Sequence, residues 1–152
     1  GEESKVRVSI YNQDFKEVLD STIVVFPEEK VSFLGDVSLN VEQTDAVMLY
    51  YKTDVMDAAG KVLARNWYFT NYETKQGCIL ESKRSKLSYS QNGRILILKN
   101  NDVIPAEVPG KASSLLLSDN YFWMDPGEEK KIEINVDGIA VVKGWNVSIV
   151  NE

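Results

Sequence analysis

The chain has 152 residues, of which 43% are hydrophobic and 26% are charged, and its formal net charge at pH 7 is −6. This composition can bury a core, either in one large domain or in two small ones. The acidic balance leaves no basic stripe for nucleic acid, and no apolar run approaches the roughly 20 residues that span a bilayer. Neither nucleic acid nor a membrane is therefore expected as a partner.

The chain lacks histidine and contains a single cysteine, which restricts its chemistry. Without histidine, Ser-His and Cys-His nucleophile systems and most zinc sites are excluded. Cys78 has no second cysteine to pair with, so we interpret it as a packed apolar group. The acidic, polar start does not resemble a signal peptide, so none is predicted.

The first half of the sequence shows the period of two that is typical of half-buried strands. Val6, Val8 and Ile10 alternate with polar neighbours and predict a first strand. The loop Asp57–Lys61 predicts a hairpin with Gly60 at its left-handed position. Further strands are predicted at Val18–Phe26, Val31–Leu34, Ala46–Tyr51 and Val62–Phe69, with turns at Asn12–Asp14 and Pro27–Lys30.

Between Thr70 and Lys86 the alternation weakens and charged residues increase, so we predict two domains, residues 1–75 and 76–152. Ile95–Leu98 is the most apolar strand and is expected at the centre of a sheet. The remaining predicted elements are an edge segment at Pro105–Gly110, an aromatic strand at Tyr121–Trp123, a turn at Asp125–Gly127, an alternating strand at Lys130–Val136, and closing strands at Val141–Val142 and Trp145–Ile149. This pattern predicts an all-β fold, an immunoglobulin-like antiparallel β-sandwich in two small copies.

The acidic residues offer no evident catalytic pair. Glu128 and Glu129 are neighbours and point to opposite sides of the chain, whereas glycoside hydrolysis needs two facing carboxyl groups. Asn100–Asp102, or Asp119 with Asp125, could hold calcium, but such clusters are mostly turns. We therefore predict no catalytic residue, no metal and no cofactor. Asn146 starts a glycosylation pattern, although it lies within a predicted strand.

The tryptophans permit two interpretations. Trp67, Trp123 and Trp145 could form a platform on which sugar rings stack, provided that their rings face solvent. Because neighbouring residues on a strand alternate between the two faces, about half of the aromatic side chains must instead belong to the core. The sequence leaves both interpretations open.

Three segments together resemble a known family. Asp119-Asn120, followed by Pro126-Gly127-Glu128 and an alternating strand, resembles the C-terminal sandwich of β-mannosidases and exo-β-glucosaminidases in glycoside hydrolase family two. The hairpin Asp57–Phe69 is similar to one in the preceding sandwich of those enzymes, and Gly144-Trp145-Asn146 matches the end of the last one. The three segments occur in the family's order and span most of the chain.

The resemblance implies a non-catalytic, C-terminal piece of a large glycosidase. In that family the catalytic glutamates lie on an upstream (β/α)₈ barrel, so no catalytic residue is carried over to this chain. The implied partners are that barrel and a second copy of the protein in a dimer. The resemblance also implies that the first sandwich lacks its opening strands and that the parent enzyme lies outside the cytoplasm. The alternatives are a carbohydrate-binding module that uses Trp67, Trp123 and Trp145, and a cell-surface immunoglobulin-like module.

Overall fold

The computed structural model describes residues 2–26, 36–40, 44, 46–71, 82–109, 121–134 and 137–150. Every regular element in these ranges is a β-strand, which confirms the all-β prediction. The chain divides into two compact units, Gly1–Ile79 and Leu80–Glu152. The predicted boundary at residue 75, the predicted strand Val31–Leu34, the turn Pro27–Lys30, Cys78 and Asp119-Asn120 lie outside the described residues.

The described strands of the first unit form one antiparallel sheet of four strands. The strands are β1 (Ser4–Asn12), β2 (Glu17–Val25), β3 (Met48–Asp57) and β4 (Val62–Asn71). Their order is β2-β1-β3-β4, so the sheet is built from two hairpins whose first strands are neighbours. The sequence predicted a strand at each of these four positions, although the predicted segment Ala46–Tyr51 covers only the first part of β3.

One face of this sheet is apolar. Ile10 and Leu49 are buried on it together with Ala46. Half-buried side chains complete the cluster, namely Val8, Val18, Leu19, Leu39 and Tyr51. The opposite face carries Arg7, Ser9 and Tyr11 of β1, with Asp54 and Lys52 of β3 beside them in register. We call this opposite side the charged face.

The second unit contains six strands in two sheets. They are β5 (Ser85–Asn92), β6 (Ile95–Asn100), β7 (Ala106–Pro109), β8 (Tyr121–Met124), β9 (Glu129–Glu133) and β10 (Val147–Ile149). One sheet has the order β10-β5-β6-β9, and the other is the pair β7-β8. The Ile95–Leu98 strand is therefore interior, as predicted. The pairing of β10 with β5 is parallel, which departs from the expected antiparallel arrangement.

A single core joins the two sheets of the second unit. Leu96, Leu98 and Ile132 come from the larger sheet, and Val108 and Met124 come from the β7-β8 pair. Side chains from both sheets share one buried cluster, which is the arrangement of a β-sandwich. Lys130 extends to this core, and its Nζ lies 3.9 Å from the centre of the Phe122 ring.

Two predicted features of the last segment were wrong. Val141–Val142 is not a strand, although Val142 is buried in the core, and Trp145 precedes β10 rather than belonging to it. The physical reason lies at Asn146, whose side chain bonds to the segment Pro105–Glu107 and fixes the path of the chain there. No helix long and apolar enough to cross a membrane occurs among the described residues.

Candidate functional site

Trp67 is part of the packing of the first unit. Only 6% of its surface is exposed, and its ring centre lies 6.1 Å from those of both Tyr11 and Phe15. Tyr11 and Phe15 themselves stack at 4.4 Å. A sugar ring needs a free aromatic face, and within this unit Trp67 offers none.

Ion pairs surround this aromatic group on the charged face. Arg7 bonds Asp20 with two nitrogens, with Nε 2.8 Å from Oδ1, and Arg65 bonds Asp54 in the same bidentate way. The hydrogen bond from Arg7 holds the pKa of Asp20 below its ordinary value. Lys52 lies 3.9 Å from Asp54, and its Nζ lies 5.8 Å from the Tyr11 ring centre.

These contacts determine what the charged face can do chemically. Asp54 is only 3% exposed, and both of its oxygens bond Arg65. Asp20 bonds Arg7 through both oxygens. In each case both carboxylate oxygens accept hydrogen bonds from an arginine on a neighbouring strand. The two carboxylates therefore act as cross-strand ties rather than as an acid-base pair.

Asn146 is the central residue of the Gly144-Trp145-Asn146 segment. Its Oδ1 accepts a hydrogen bond from Glu107 N at 2.9 Å, and its Nδ2 donates to Pro105 O at 2.8 Å. Its backbone oxygen accepts from Ser85 N at 2.7 Å. The residue is 0% exposed, so the glycosylation pattern that begins at Asn146 is not accessible in the folded chain.

Gly144 and Trp145 complete the segment. A β-carbon placed on Gly144 would lie 2.6 Å from Glu107 O and would also contact the Val147 side chain, so only glycine fits. Trp145 N donates to Glu107 O at 3.2 Å, while 44% of the residue is exposed. The predicted site residue Trp145 therefore has an accessible ring.

Trp123 lies on β8, on the side of β7 opposite to the Trp145 segment. It stands opposite Glu107 in the β7-β8 pair and is half-buried. The N–H and C=O of Glu107 bond residues 145 and 146, so β8 and the Trp145 segment flank β7 on opposite edges. The fold thus brings Trp123 and Trp145 to one strand, whereas Trp67 belongs to the first unit.

Asn100 is a buried centre that sequence reasoning missed. It is 0% exposed, and its Nδ2 donates to Ile104 O at 2.8 Å and to Asp125 O at 3.1 Å. Its Oδ1 accepts from Ser85 Oγ at 2.8 Å and from Asp102 N at 3.0 Å. Both ends of the Asn100 amide, a predicted candidate for binding calcium, therefore bond groups of the protein itself. No group of three or more acidic or cysteine side chains that could hold a metal occurs in the described ranges.

The Pro-Gly-Glu segment forms a turn closed by a carboxylate. Glu128 Oε2 accepts from Asp125 N at 2.7 Å, and Glu128 N donates to Asp125 O at 3.0 Å. Gly127 has a φ of 75°, the left-handed region that glycine adopts at little cost. The spacing of Asp125 and Glu128, with Pro126-Gly127 between them, is the sequence signal that could have revealed this role, because a carboxylate three residues on can reach back to a backbone N–H.

The sequence matches no protein-family model and no curated protein. Among solved structures, it is similar to the exo-chitosanase CsxA of Amycolatopsis orientalis, with a TM-score of 0.55 and 15% identity over 97% of this chain and 23% of that one. A structure from a study of the inhibition of the exo-β-D-glucosaminidase CsxA gives a TM-score of 0.52 and 14% identity, and the match covers 96% of this chain and 23% of that one. A β-D-mannosidase from Dictyoglomus thermophilum gives a TM-score of 0.46 and 14% identity, and the match covers 98% of this chain and 19% of that one. This TM-score is too low to support an argument.

At this level of identity the likeness establishes the fold alone. The class that the fold defines is an all-β protein of the sandwich type. The chain spans less than a quarter of the exo-chitosanase that it matches, so a segment with this fold occurs there within a much longer chain.

Proposed function

We propose that this chain is a non-catalytic accessory region of a multidomain glycoside hydrolase of the β-mannosidase type. The observation that carries the proposal is the unequal coverage, 97% of this chain against 23% of the exo-chitosanase. The three sequence segments that resemble β-mannosidases and exo-β-glucosaminidases support the same parent.

The contacts of the described carboxylates support a role without catalysis. Hydrolysis of a glycoside requires two carboxyl groups about 5 to 9.5 Å apart that face the sugar from opposite sides. Asp20 and Asp54 each bond an arginine through both oxygens, and Glu128 bonds the Asp125 backbone. Each of these groups stabilises a strand pair or a turn.

In this proposal the chain lies C-terminal to a catalytic barrel, packs against it and fixes its position, and it contributes to a dimer contact. The parent enzyme acts on terminal β-linked sugars outside the cytoplasm. The complete coding sequence tests this arrangement, because it is expected to encode a (β/α)₈ barrel with an Asn-Glu pair at a strand end before Gly1. A coding sequence without a barrel would overturn the proposal.

The activity of the chain alone provides a second test. We expect no release of nitrophenol from aryl β-mannosides or aryl β-glucosaminides, because Asp20, Asp54 and Glu128 are each engaged by an arginine or by a backbone amide of the fold. Asp54→Asn and Glu107→Gln variants serve as controls for contaminating enzyme. Turnover that co-purifies with the chain and disappears in either variant would contradict a non-catalytic role.

Carbohydrate binding is a second candidate, favoured by one observation, the 44% exposure of Trp145. An exposed indole provides the flat apolar surface on which a sugar ring stacks. Calorimetric titration with β-mannan and chitosan oligosaccharides tests it, with Trp145→Ala as the variant and Ile139→Ala, an exposed aliphatic position, as the control. Binding that only Trp145→Ala abolishes supports the candidate, and no heat of binding with the unaltered chain removes it.

A further inference from the structure

Gln91 ties together two turns at one end of the larger sheet in the second unit. Its Nε2 donates to Gly93 O at 2.8 Å and to Gly138 O at 2.7 Å, and its Oε1 accepts from Ala140 N at 2.8 Å. Gln91, Gly93 and Gly138 border an open depression of about 500 Å³. Gln91 therefore uses both ends of its amide to hold the β5-β6 turn against the segment at residues 138–140.

The turn that Gln91 holds contains the only Asn-Gly pair in the sequence. Asn92 is exposed and pairs with Ile95, which leaves Gly93 and Arg94 as the two turn residues. Gly93 has a φ of 56°, and nothing lies within 4 Å of the position where its β-carbon would be. The peptide nitrogen that follows Asn92 is therefore unshielded by a side chain.

We propose that Asn92 is a site of spontaneous deamidation and that the Gln91 side chain controls its rate. In this reaction the backbone nitrogen of Gly93 attacks Cγ of Asn92, the new N–Cγ bond closes a succinimide ring, the Cγ–Nδ2 bond breaks, and the NH₂ group leaves as ammonia with the proton of the Gly93 N–H. Water then opens the ring and gives aspartate or isoaspartate. No oxidant, reductant or enzyme is required, and the inference is independent of the proposed function.

Gln91 restrains the step that brings the reacting atoms together. Asn92 lies in an extended strand, so the chain must rotate about its Cα–C bond before the Gly93 nitrogen can reach Cγ. This rotation moves the Gly93 peptide, whose carbonyl is bonded to Gln91 at 2.8 Å. Ring closure therefore proceeds through local opening of the turn, and the rate depends on how often the Gln91 contact breaks.

The product changes the turn in two ways. A carboxylate at position 92 lies two residues from Arg94, whose Nε donates to Asp137 Oδ1 at 2.8 Å, and it competes for that guanidinium. Isoaspartate also inserts a methylene group into the backbone next to the Asn92↔Ile95 pair. The β5-β6 register, which buries Leu96 and Leu98, is thereby weakened at its turn.

The test compares deamidation at individual asparagines during incubation at mildly alkaline pH, measured by peptide mapping with mass spectrometry. In the unaltered chain we expect Asn92 to lose its amide several-fold faster than the exposed Asn66 and Asn101, and slower than in a synthetic peptide of residues 87–98. Gln91→Ala is expected to raise the rate in the folded chain several-fold toward the peptide rate. The same change in the peptide is expected to have little effect.

Two further variants provide a matched control and an alternative to Gln91→Ala. Arg94→Ala removes the neighbouring ion pair and leaves the Gln91 contacts in place, so it is the matched control. Gln91→Glu keeps the acceptor for Ala140 N and loses both donors, and it replaces Gln91→Ala if that variant does not fold. The proposal is overturned if Asn92 stays intact in the folded chain and in the variants, or if Arg94→Ala accelerates the reaction as much as the Gln91 variants.

Discussion

Two buried asparagines hold the second unit together at the scale of single residues. Asn100 and Asn146 are both 0% exposed; the Asn100 side chain bonds backbone groups of two other segments, and the Asn146 side chain bonds two backbone groups of Pro105–Glu107. A buried amide that lost its partners would cost far more than an average hydrogen bond contributes. These side chains are therefore expected to dominate the effect of substitutions in this unit.

Replacement of Asn100 by alanine is expected to lower the free energy of unfolding by roughly 3 kcal/mol, because Ile104 O, Asp125 O and Ser85 Oγ lose buried partners. Asn101→Ala is the matched control. Asn101 is exposed and bonds Ser88 Oγ, so its loss is expected to cost less than about 1 kcal/mol. Urea unfolding followed by circular dichroism measures both, and equal effects would contradict the role assigned to Asn100.

Gly144→Ala is expected to destabilise the chain by about 2 kcal/mol, because the added methyl group overlaps Glu107 O and Val147. The cost arises from close packing and not from a special backbone angle. Lys143→Ala, at an exposed neighbouring position, is expected to change stability by no more than about 0.5 kcal/mol. Thermal unfolding of the two variants compares them, and a neutral Gly144→Ala would show that the backbone can move away.

The β1-β2 turn is the element in which local strain and packing oppose each other. Phe15 has a φ of 58°, a conformation that a bulky residue adopts only at a cost. Its ring stacks on Tyr11 and lies 5.7 Å from the ring centre of Tyr50. Asn12 Oδ1 fixes the turn by accepting from the backbone nitrogens of Asp14 and Lys16.

Because strain and packing oppose each other at Phe15, we predict that glycine at this position gives a more stable protein than alanine. Phe15→Ala loses the ring contacts and keeps the strained φ, and is expected to cost about 2 kcal/mol. Phe15→Gly loses the same contacts and removes the strain, so it is expected to be about 1 kcal/mol more stable than Phe15→Ala. Chemical unfolding of both variants gives the difference, and the reverse order would show that the ring contacts do not impose a positive φ.

The elements themselves were largely predictable, because alternation and turn residues are local signals. The apolar residues of β1 and β9 lie on the inward side, as their period of two requires, and of the four apolar residues of β6 only Leu96 and Leu98 are buried. Ser9 is the exception, since it belongs to the polar half of β1 and is nevertheless 0% exposed. Its burial follows from its place between Asp20 and Lys52 in the sheet, which the sequence of one strand does not contain.

The site was less predictable than the strands. Exposure of each tryptophan depends on tertiary neighbours, so Trp67 and Trp145 looked alike in the sequence although one is 6% and the other 44% exposed. In the sequence, Asn100 likewise has the pattern of a turn residue, and Asn146 has the pattern of a glycosylation acceptor. Their partners at residues 125 and 107, respectively, are 25 and 39 positions away in the sequence and are brought near only by the fold.

At the scale of the whole molecule, the Arg7–Asp20 ion pair makes stability depend on pH. Arg7 lowers the pKa of Asp20 from 3.8, chiefly through a side-chain hydrogen bond. A carboxyl group with a depressed folded pKa stabilises the fold above its unfolded pKa, and this contribution is lost as the pH falls through the folded value. The Asp20 contribution is therefore complete near neutral pH and disappears in acid below about pH 4.

The Asp20→Asn variant tests this dependence. We expect it to be less stable than the unaltered chain at about pH 6, and we expect the difference to shrink as the pH is lowered below about 4. Asp137→Asn is the control, because that side chain is 87% exposed and its pair with Arg94 is screened by solvent. A constant difference between Asp20→Asn and the unaltered chain at all pH values would contradict the prediction.

The parallel pairing of β10 with β5 has a consequence for biosynthesis. β10 is synthesised after every other strand of its sheet, and until then the backbone edge of β5 that later bonds residues 146 and 150 remains open. An open strand edge is a template for pairing with other chains. A nascent or proteolysed chain that ends before Val147 is therefore expected to aggregate, because the three residues of β10 cover the edge of β5 and complete the four-stranded sheet.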